Sequence, residues 1–481
     1  MREEDTLARL GGDEFIAILP DLATPDDYIP VVNRLLDVSG EPILIDDMPV
    51  RVSTSIGITL YPQPDTSIDA DQLLRQADQA MYHAKQQGKN QHHLFDSSHD
   101  QRQREHNRKL KELRTAIDES QFILHYQPRV HMRTGEVLGF EALLRWQHPE
   151  LGLRSPADFL PILDGHELLV DLGHWVLRHA FEQLALWQRQ GMNLSISINV
   201  DAIHLEHPTF VDRLRTLLVE FDIDDPSLIE LEVLETSALE NIVQFQDIIA
   251  DCHELGIRFS LDDFGTGYSS LSYLKRIPVD TLKIDQSFVR DMLDDPDDLA
   301  ILEGVLGLSQ AFRREVVAEG VESESLGKML LQLGCCQAQG YAIARPMPAE
   351  SVDDWITQWR TYPSWSQAAP LPPEKLPLLF GLVDLNAWYR SLTPASDDKR
   401  SNYSLNHYEH HFNHWLNRLS IHENDNNPLP GLIREHHETF KQLIREMEHS
   451  DATTDPSHFD MLQNRLDTTY RALHRLMSDS L

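Results

Sequence analysis

The sequence predicts an α/β protein with a closed (β/α)8 barrel at its centre, a partial α/β domain before the barrel and an all-α helical bundle after it. Between residues 121 and 362, short apolar runs alternate with longer amphipathic stretches, which indicates parallel strands joined by helices. About eight such strands in about 240 residues fit a barrel. Beyond residue 375 the apolar spacing is helical, and short polar loops separate the helices.

Composition limits the classes of function. The chain has 481 residues, 41% of them hydrophobic, so it can bury several cores. The formal net charge of -35 disfavours a DNA-binding or anionic-membrane surface. A small phosphate ligand remains compatible with this charge, because divalent metal ions can supply positive charge locally. Neither a membrane span nor a signal peptide is expected, and three cysteines without a disulfide framework favour a reduced, cytoplasmic setting.

The domain boundaries are predicted from changes of pattern along the chain. A polar stretch is followed by Leu110, Leu113 and Ile117 at helical spacing, which predicts a connecting helix. Pro370-Leu371-Pro372-Pro373 indicates a second linker. The predicted segments are a partial α/β domain at 1–97, a linker helix at 98–120, the barrel at 121–362, a Pro-rich linker at 363–374 and the bundle at 375–481.

The elements follow from the same patterns. In the first segment, Arg9-Leu10-Gly11-Gly12-Asp13-Glu14-Phe15 predicts a turn between two strands, followed by a strand at Val52–Thr59 and a helix at Ala77–Lys85. The predicted barrel strands are Phe122–Gln127, Val137–Leu143, Leu194–Val200, Leu228–Val233, Ile257–Leu261, Thr281–Ile284, Glu315–Ala318 and Gln339–Ile343. The predicted bundle helices are Leu376–Leu392, Tyr403–Leu419, Leu429–Glu448 and Pro456–Met477.

Polar side chains fall in or at the end of these barrel strands, on the face where barrel enzymes carry their active sites. Any one of them could be a cap or a satisfied core group, but eight together favour a functional site. Such oxygen-rich donors suit Mg²⁺ or Mn²⁺ better than zinc, and we expect no competing Cys or His cluster in this domain. The eight residues are Glu141, Asn199, Glu232, Asp262, Asp263, Lys283, Glu319 and Gln339.

Three motifs give this segment a family resemblance. They are Glu141-Ala142-Leu143-Leu144-Arg145-Trp146, Leu261-Asp262-Asp263-Phe264-Gly265-Thr266-Gly267-Tyr268-Ser269-Ser270, and Val317-Ala318-Glu319-Gly320-Val321-Glu322. Over about Phe122–Tyr362 the chain resembles the EAL family of cyclic di-GMP phosphodiesterases. The resemblance implies a barrel with one antiparallel strand near its start, and two Mg²⁺ or Mn²⁺ ions that support hydrolysis of cyclic di-GMP to linear pGpG. The alternative is a catalytically silent cyclic di-GMP receptor that acts through a partner.

The resemblance also implies a role for each matching residue. Lys283 would lie near the attacking water, and Glu319 would be a candidate base. Implied metal ligands are Glu141, Asn199, Glu232, Asp262, Asp263, Glu319 and Gln339. Implied substrate contacts are Arg145, Leu143 and Gln127. Glu235 would steady the loop Phe264–Ser270, and Glu322 would support the site.

Some positions depart from the family pattern. Leu163-Asp164-Gly165-His166-Glu167-Leu168 replaces the usual Ala-Glu-Glu-Thr-Gly-Leu, and Val200-Asp201-Ala202-Ile203-His204 replaces Leu-Ser-Ala-x-Gln. Cys336 stands where an aspartate is common. These changes concern the substrate edge and the geometry of a homodimer, which the resemblance implies through this domain, more than the metal site.

The first segment resembles the second half of a GGDEF diguanylate cyclase domain, on the Gly11-Gly12-Asp13-Glu14-Phe15 turn. Arg2 and Asp5 match that family's inhibitory cyclic di-GMP site. The family's first half, with a further metal aspartate and the phosphate loop, does not precede Met1 in this sequence. We therefore expect no cyclase activity from it.

Histidines are concentrated in the bundle. His407 and His411 lie on one predicted helix, His436 and His437 on the next, and His474 on the last. They could converge on zinc or iron, or they could form a His-rich helix surface, and spacing alone leaves both readings open. Parts of the segment faintly resemble the chemoreceptor zinc-binding domain, without its cysteine, and a hemerythrin-like bundle is an alternative. We expect a sensory or regulatory bundle.

Overall fold

The structure is a computed structural model that describes residues 2, 4–45, 48–63, 68–240, 242–267, 274–392, 416, 429–448 and 456–481. The chain forms two compact units, residues 1–113 and 114–481. None of the helices in the described ranges combines the length and apolarity needed to cross a membrane.

The first unit consists of short strand pairs and two helices. The predicted turn is confirmed, since β1 and β2 form an antiparallel hairpin around it. The predicted strand at Val52–Thr59 is shorter in the structure, where only Ile56–Ile58 pairs with a partner strand. The elements are β1 Thr6–Gly11, β2 Glu14–Ile18, α1 Ile29–Ser39, β3 Ile43–Ile45, β4 Met48–Val50, β5 Ile56–Ile58, α2 Ala70–Gln86 and β6 His92–Leu94. Helix α3, Ser97–Asp118, leads into the second unit.

The second unit contains the barrel. Its strands are β7 Phe122–His131, β8 Glu136–His148, β9 Gly152–Arg154, β10 Ser195–Asn199, β11 Ile229–Leu234, β12 Arg258–Phe264, β13 Thr281–Ile284, β14 Glu315–Ala318, β15 Gln337–Ala338 and β16 Met347–Pro348. Its helices are α4 Leu168–Arg189, α5 Ala202–Leu205, α6 Phe210–Glu220, α7 Glu235–Glu240, α8 Ile242–Glu254, α9 Gln286–Asp291, α10 Pro296–Phe312, α11 Glu324–Leu333 and α12 Val352–Gln358.

Eight strands of the described chain close into a ring in the order β7-β15-β14-β13-β12-β11-β10-β8, and β8 pairs back onto β7. Strand β7 is antiparallel to both of its ring neighbours, whereas the other neighbouring strands are parallel. The predicted barrel and its antiparallel first strand are therefore confirmed. The last predicted strand, Gln339–Ile343, is wrong in position, because the paired residues are Gln337 and Ala338.

The barrel is filled by side chains from alternate strand positions, since successive residues of a strand point to opposite faces. On β11, Leu231 and Val233 belong to the large apolar core, while Glu230 and Glu232 share the other face and are buried. The inner face therefore carries polar layers, and the outer face packs against the helices. This arrangement places the polar residues of neighbouring strands at matched heights inside the ring.

The C-terminal helices begin earlier than predicted. Residues Pro363–Gln367 of the predicted linker form helix α13, and its Trp365 is fully buried against Gly327 of α11. A Cβ at Gly327 would lie 2.3 Å from the indole, so the missing side chain makes room for it. The segment is thus part of the barrel's packing, because its tryptophan outweighs the solvated character of the neighbouring prolines.

Three of the four predicted bundle helices are described: α14 Leu376–Leu392, α15 Leu429–Glu448 and α16 Pro456–Ser478. The predicted helix Tyr403–Leu419 lies outside the described residues, apart from Leu416. The described helices enclose an apolar cluster of their own, which includes Trp388, Phe440 and Leu466. Residues Leu379 and Val383 of α14 belong instead to the barrel's core cluster.

Candidate active site

Four carboxylates meet at one buried ammonium group at the carboxyl ends of the parallel strands. Lys283 on β13 lies 2.6 Å from Glu232 Oε2 and 2.6 Å from Glu319 Oε1. Its Nζ is also 3.2 Å from Asp262 Oδ1 and 3.8 Å from Glu141 Oε2. Parallel strands end at the same rim, so residues far apart in the sequence converge there.

Glu141 is held by two carboxamides. Asn199 Nδ2 donates to Glu141 Oε1 at 2.6 Å, and Gln339 Nε2 donates to Glu141 Oε2. Gln339 also donates to Gln127 Oε1 at 3.0 Å, while Gln127 Nε2 donates to the carbonyl of Ala344 at 3.0 Å. Gln127 is buried and bonded to protein on both sides of its amide, so the structure places it behind Gln339 as its support.

The two adjacent aspartates face the same side of the rim because the backbone is unusual there. The register of β12 against β13 shifts between Leu261 and Phe264, and Asp263 has φ +53°. A left-handed conformation at a non-glycine residue is uncommon and is often found at functional sites. The Asp263 amide donates to Asp262 Oδ1 at 3.0 Å, which fixes the turn.

Glu235 supports the chain that follows this turn. Its Oε2 accepts a hydrogen bond from the Gly265 amide at 2.8 Å. A Cβ at Gly267 would lie 2.7 Å from Glu235 Oε1, so this close approach requires glycine. The following residues 268–270 of the predicted loop lie outside the described residues. Glu322 is not part of the cluster, since it is exposed and lies 3.7 Å from Arg290 on α9.

Burial and mutual repulsion raise the pKa of most of these carboxyl groups. Burial raises the pKa of Glu319 to about 8 against the attraction of Lys283, with Asp262 adding to the rise. Burial, with repulsion from neighbouring carboxylates, also raises the pKa of Glu232 well above its usual value. For Asp263, burial and the charge of Asp262 raise the pKa to about 6. Glu141 differs, because Lys283 and the two carboxamides outweigh burial and lower its pKa.

These residues fit a site for a hard divalent cation. The donor oxygens of Asp262, Asp263 and Glu319 lie within 4.8 Å of one another, and among the described residues no other group of three His, Cys, Asp or Glu donors does so. One ammonium cannot neutralise the three buried carboxylates and the half-buried Glu319, so the cluster has an excess of negative charge. Carboxylate and amide oxygens are the ligands that Mg²⁺ and Mn²⁺ prefer.

Comparisons with known proteins agree with this geometry. The EAL domain family model matches residues 110–346, and the model for the diguanylate cyclase GGDEF domain matches residues 1–91. A solved structure described as the PaMucR phosphodiesterase in complex with c-di-GMP is 41% identical, and the match covers 51% of this chain and 99% of that one, with a TM-score of 0.50. The chain belongs to the EAL family.

Two relatives match a longer part of the chain than the EAL family model does. The bifunctional diguanylate cyclase/cyclic di-GMP phosphodiesterase MucR of Pseudomonas aeruginosa is 40% identical over 353 residues, which is 73% of this chain and 51% of MucR. The cyclic di-GMP phosphodiesterase PdeR of Escherichia coli is 36% identical over 359 residues, 75% of this chain and 54% of PdeR. The chain therefore spans about half the length of these relatives.

The rim of the EAL barrel carries the residues predicted to contact substrate. Leu143 and Arg145 follow Glu141 at every second position of β8, so they continue its inward face toward the rim. Both are half-buried, and Arg145 Nη1 donates to the carbonyl of Leu144 at 2.7 Å. Burial lowers the pKa of Arg145, although the neighbouring Tyr341 and Glu141 oppose this.

A second charged layer lies below the site, and the sequence analysis missed it. Arg129 on β7 forms a buried ion pair with Glu230 on β11, and its Nη2 donates to Ser195 Oγ at 3.0 Å. Ser197 Oγ donates to the same Glu230 oxygen at 3.3 Å. Strand alternation was a usable signal, because Glu230 lies two residues before Glu232 and must share its face.

A histidine cluster beside the barrel was also missed. The rings of His174 and His204 lie 4.9 Å apart, and those of His174 and His207 lie 6.3 Å apart. Gly173 makes room for this packing, since a Cβ there would lie 2.2 Å from His204 Nδ1. His174 lies on α4, His204 on α5 and His207 in the turn after α5. Spacing along one helix alone therefore does not reveal the cluster.

The remaining predicted site residues belong to the bundle and to the first unit. His437 is fully buried and packs edge-on against Trp388, whereas His436 and His474 are half-buried. His407 and His411 lie outside the described residues. In the first unit, the backbone amide of Arg2 donates to Asp5, and the Arg2 side chain is exposed.

Proposed function

We propose that the barrel is a metal-dependent phosphodiesterase that hydrolyses cyclic di-GMP to linear pGpG. The observation that carries this proposal is the cluster in which four carboxylates converge on Lys283. The carboxylates are those of Glu141, Glu232, Asp262 and Glu319. Each predicted metal-ligand position carries an oxygen-bearing side chain. The names of the EAL relatives support the substrate.

The proposed role of each side chain follows from its position in the site. Two Mg²⁺ or Mn²⁺ ions, when bound, would polarise the phosphodiester and make a water molecule more acidic. The residues that would hold them are Glu141, Asn199, Glu232, Asp262, Asp263, Glu319 and Gln339. Lys283 offsets their charge and stands next to Glu319, which is the candidate proton acceptor. Arg145 and Leu143 would meet the substrate phosphate and base at the rim, and Gln127 would support Gln339 from behind.

Other parts of the proposal extend beyond the site. We infer a homodimer through the EAL barrel and a cytoplasmic setting, as the family resemblance and the cysteine content suggest. Arg2 and Asp5 remain candidates for binding cyclic di-GMP. A zinc or iron ion in the bundle remains a prediction that would need His407 and His411 together with the described histidines.

The test is turnover of cyclic di-GMP by the full chain with Mg²⁺ or Mn²⁺. We expect linear pGpG from the parent and a loss of at least about a thousandfold in Asp262→Asn, because that carboxylate serves the whole cluster. The matched control is Asp212→Asn on α6, which removes an exposed carboxylate paired with Arg215 and should retain activity. If the parent binds cyclic di-GMP without turning it over, the silent receptor replaces the enzyme.

A further inference from the structure

The bundle packs on one corner of the barrel, formed by α10 and the turn that precedes it. Helix α14 packs on α10, and its Leu379 and Val383 are buried in the barrel's own apolar cluster. Phe380 contacts both the barrel cluster and the bundle cluster. Arg390, near the end of α14, forms an ion pair with Asp294, which lies between α9 and α10.

This contact combines attraction with repulsion. The apolar side chains and the Arg390–Asp294 pair hold α14 in place. Asp384 of α14 is 5% exposed, and burial, together with the charge of Asp297 on α10, raises its pKa to about 7. The interface therefore buries the Asp384 carboxyl beside the half-buried Asp297. Burying a carboxyl costs free energy, so this interface is less strongly held than one that is apolar throughout.

The same corner is connected to the site by direct contacts. Helix α9 begins three residues after Lys283, and its N-cap Asp285 accepts from the Ser287 amide at 2.9 Å. The Asp285 carboxyl also lies next to that of Asp263. The ring of Phe288 covers Gly265, where a Cβ would lie 3.0 Å from Cε2. Thus α9 supports the Asp262–Asp263 turn from outside.

The connecting segment can transmit a shift because it is firmly packed. Val289 of α9 and Met292 just after it are fully buried, and Asp295 then caps α10 through the Asp297 amide at 2.9 Å. Packed elements tend to move between discrete arrangements rather than deform gradually. A displacement of α14 would therefore reach Asp285 and Phe288 as a movement of α9.

We propose that α14 is a regulatory contact: seated on the α9–α10 corner, it holds Asp285 and Phe288 against the Asp262–Asp263 turn, so that the bundle controls the EAL site from this surface. Effects on turnover rest on the proposed function, whereas effects on the backbone of the turn do not. Helix α9 thus acts as the positioning element, and signals received by the bundle act by seating or loosening α14.

The experiment compares the parent with Arg390→Glu, with Asp294→Arg and with the double variant, which restores the ion pair with its charges reversed. Arg475→Glu, at an exposed position of α16, is the control for the change in charge. Hydrogen–deuterium exchange is measured for the amides of residues 262–267, and turnover is measured in parallel. In Arg390→Glu we expect exchange in this segment to rise about fivefold or more and turnover to fall by a similar factor. The double variant should return toward the parent.

The proposal is overturned if exchange of residues 262–267 in Arg390→Glu equals that in Arg475→Glu. Arg390 is exposed, so the variant is expected to fold, and far-UV circular dichroism checks this. If the parent itself does not hydrolyse cyclic di-GMP, the proposed function fails, but the exchange comparison still decides whether α14 holds the turn.

Discussion

The barrel interior holds two charged layers that differ in their balance of positive and negative groups. In the lower layer, Arg129 and Glu230 form a one-to-one ion pair supported by serine hydroxyls. In the upper layer, the single ammonium of Lys283 faces four carboxylates. In the lower layer the two charges balance each other, whereas in the upper layer the carboxylates outnumber the single ammonium. The difference separates a structural ion pair from a binding site within one ring of strands.

The largest expected effect comes from removing a carboxylate of the upper layer. Glu232→Gln should lower turnover by at least about a thousandfold, since it takes away a proposed metal ligand. Stability without metal should not fall, because one of four crowded negative charges is removed. Turnover and urea unfolding of the same variant measure both quantities. A large loss of metal-free stability would mean that the upper layer is structural, like the lower one.

The lower layer should respond in the opposite sense. Arg129→Met leaves Glu230 buried without its partner, and we expect a loss of about 3–5 kcal/mol in the free energy of unfolding. Adding Mg²⁺ should not restore the lost free energy of unfolding. The control Arg178→Met breaks an exposed pair with Glu220 and should cost less than about 1 kcal/mol. Similar losses in the two variants would contradict the assignment of the buried pair.

Metal binding gives the next largest effect. Mg²⁺ or Mn²⁺ at about a hundred times its dissociation constant should raise the free energy of unfolding of the parent by about 2.7 kcal/mol. The shift should be much smaller in Glu232→Gln and unchanged in Asp212→Asn. Thermal unfolding at several metal concentrations measures it without any substrate. An equal shift in all three proteins would place the bound metal elsewhere.

Much of this arrangement follows from the sequence, and the rest depends on contacts between distant segments. Apolar periodicity predicts the barrel, and strand ends predict which polar residues share its rim. These patterns do not predict the left-handed backbone at Asp263, which accompanies a register shift between β12 and β13. Nor do these patterns predict that Trp365 packs into the space left by Gly327, because the two residues lie on different helices with the last strands of the barrel between them.

The smallest expected effect is the loss of stability that His204 causes at acid pH. Unlike the charged groups of the two layers, this buried titratable side chain is neutral. Burial, with the neighbouring His174 and His207, lowers its pKa to about 3, below the usual 6.5. The folded state therefore binds fewer protons than the unfolded state, and stability falls as the pH drops below about 6.5. From pH 6.5 to pH 5 we expect a loss of about 1.5 kcal/mol from this group.

The matched variants for this prediction are His204→Gln and His106→Gln, the latter at an exposed position of α3. Urea unfolding at both pH values gives the acid sensitivity of each protein. The His204 variant should lose less stability on acidification than the parent, and the His106 variant should behave like the parent. Equal acid sensitivity in all three would exclude His204 as the source.

The reversed first strand decides where the polypeptide joins the barrel. Because β7 runs against its neighbours, Phe122 pairs with Trp146 beyond Glu141 on β8, and the chain arrives at the rim that carries the carboxylates. In an all-parallel barrel the first strand would begin at the far end, about 15–20 Å away for a strand of five or six residues. The helix that precedes β7 is therefore joined to the barrel at the rim that carries the carboxylates and not at the opposite end.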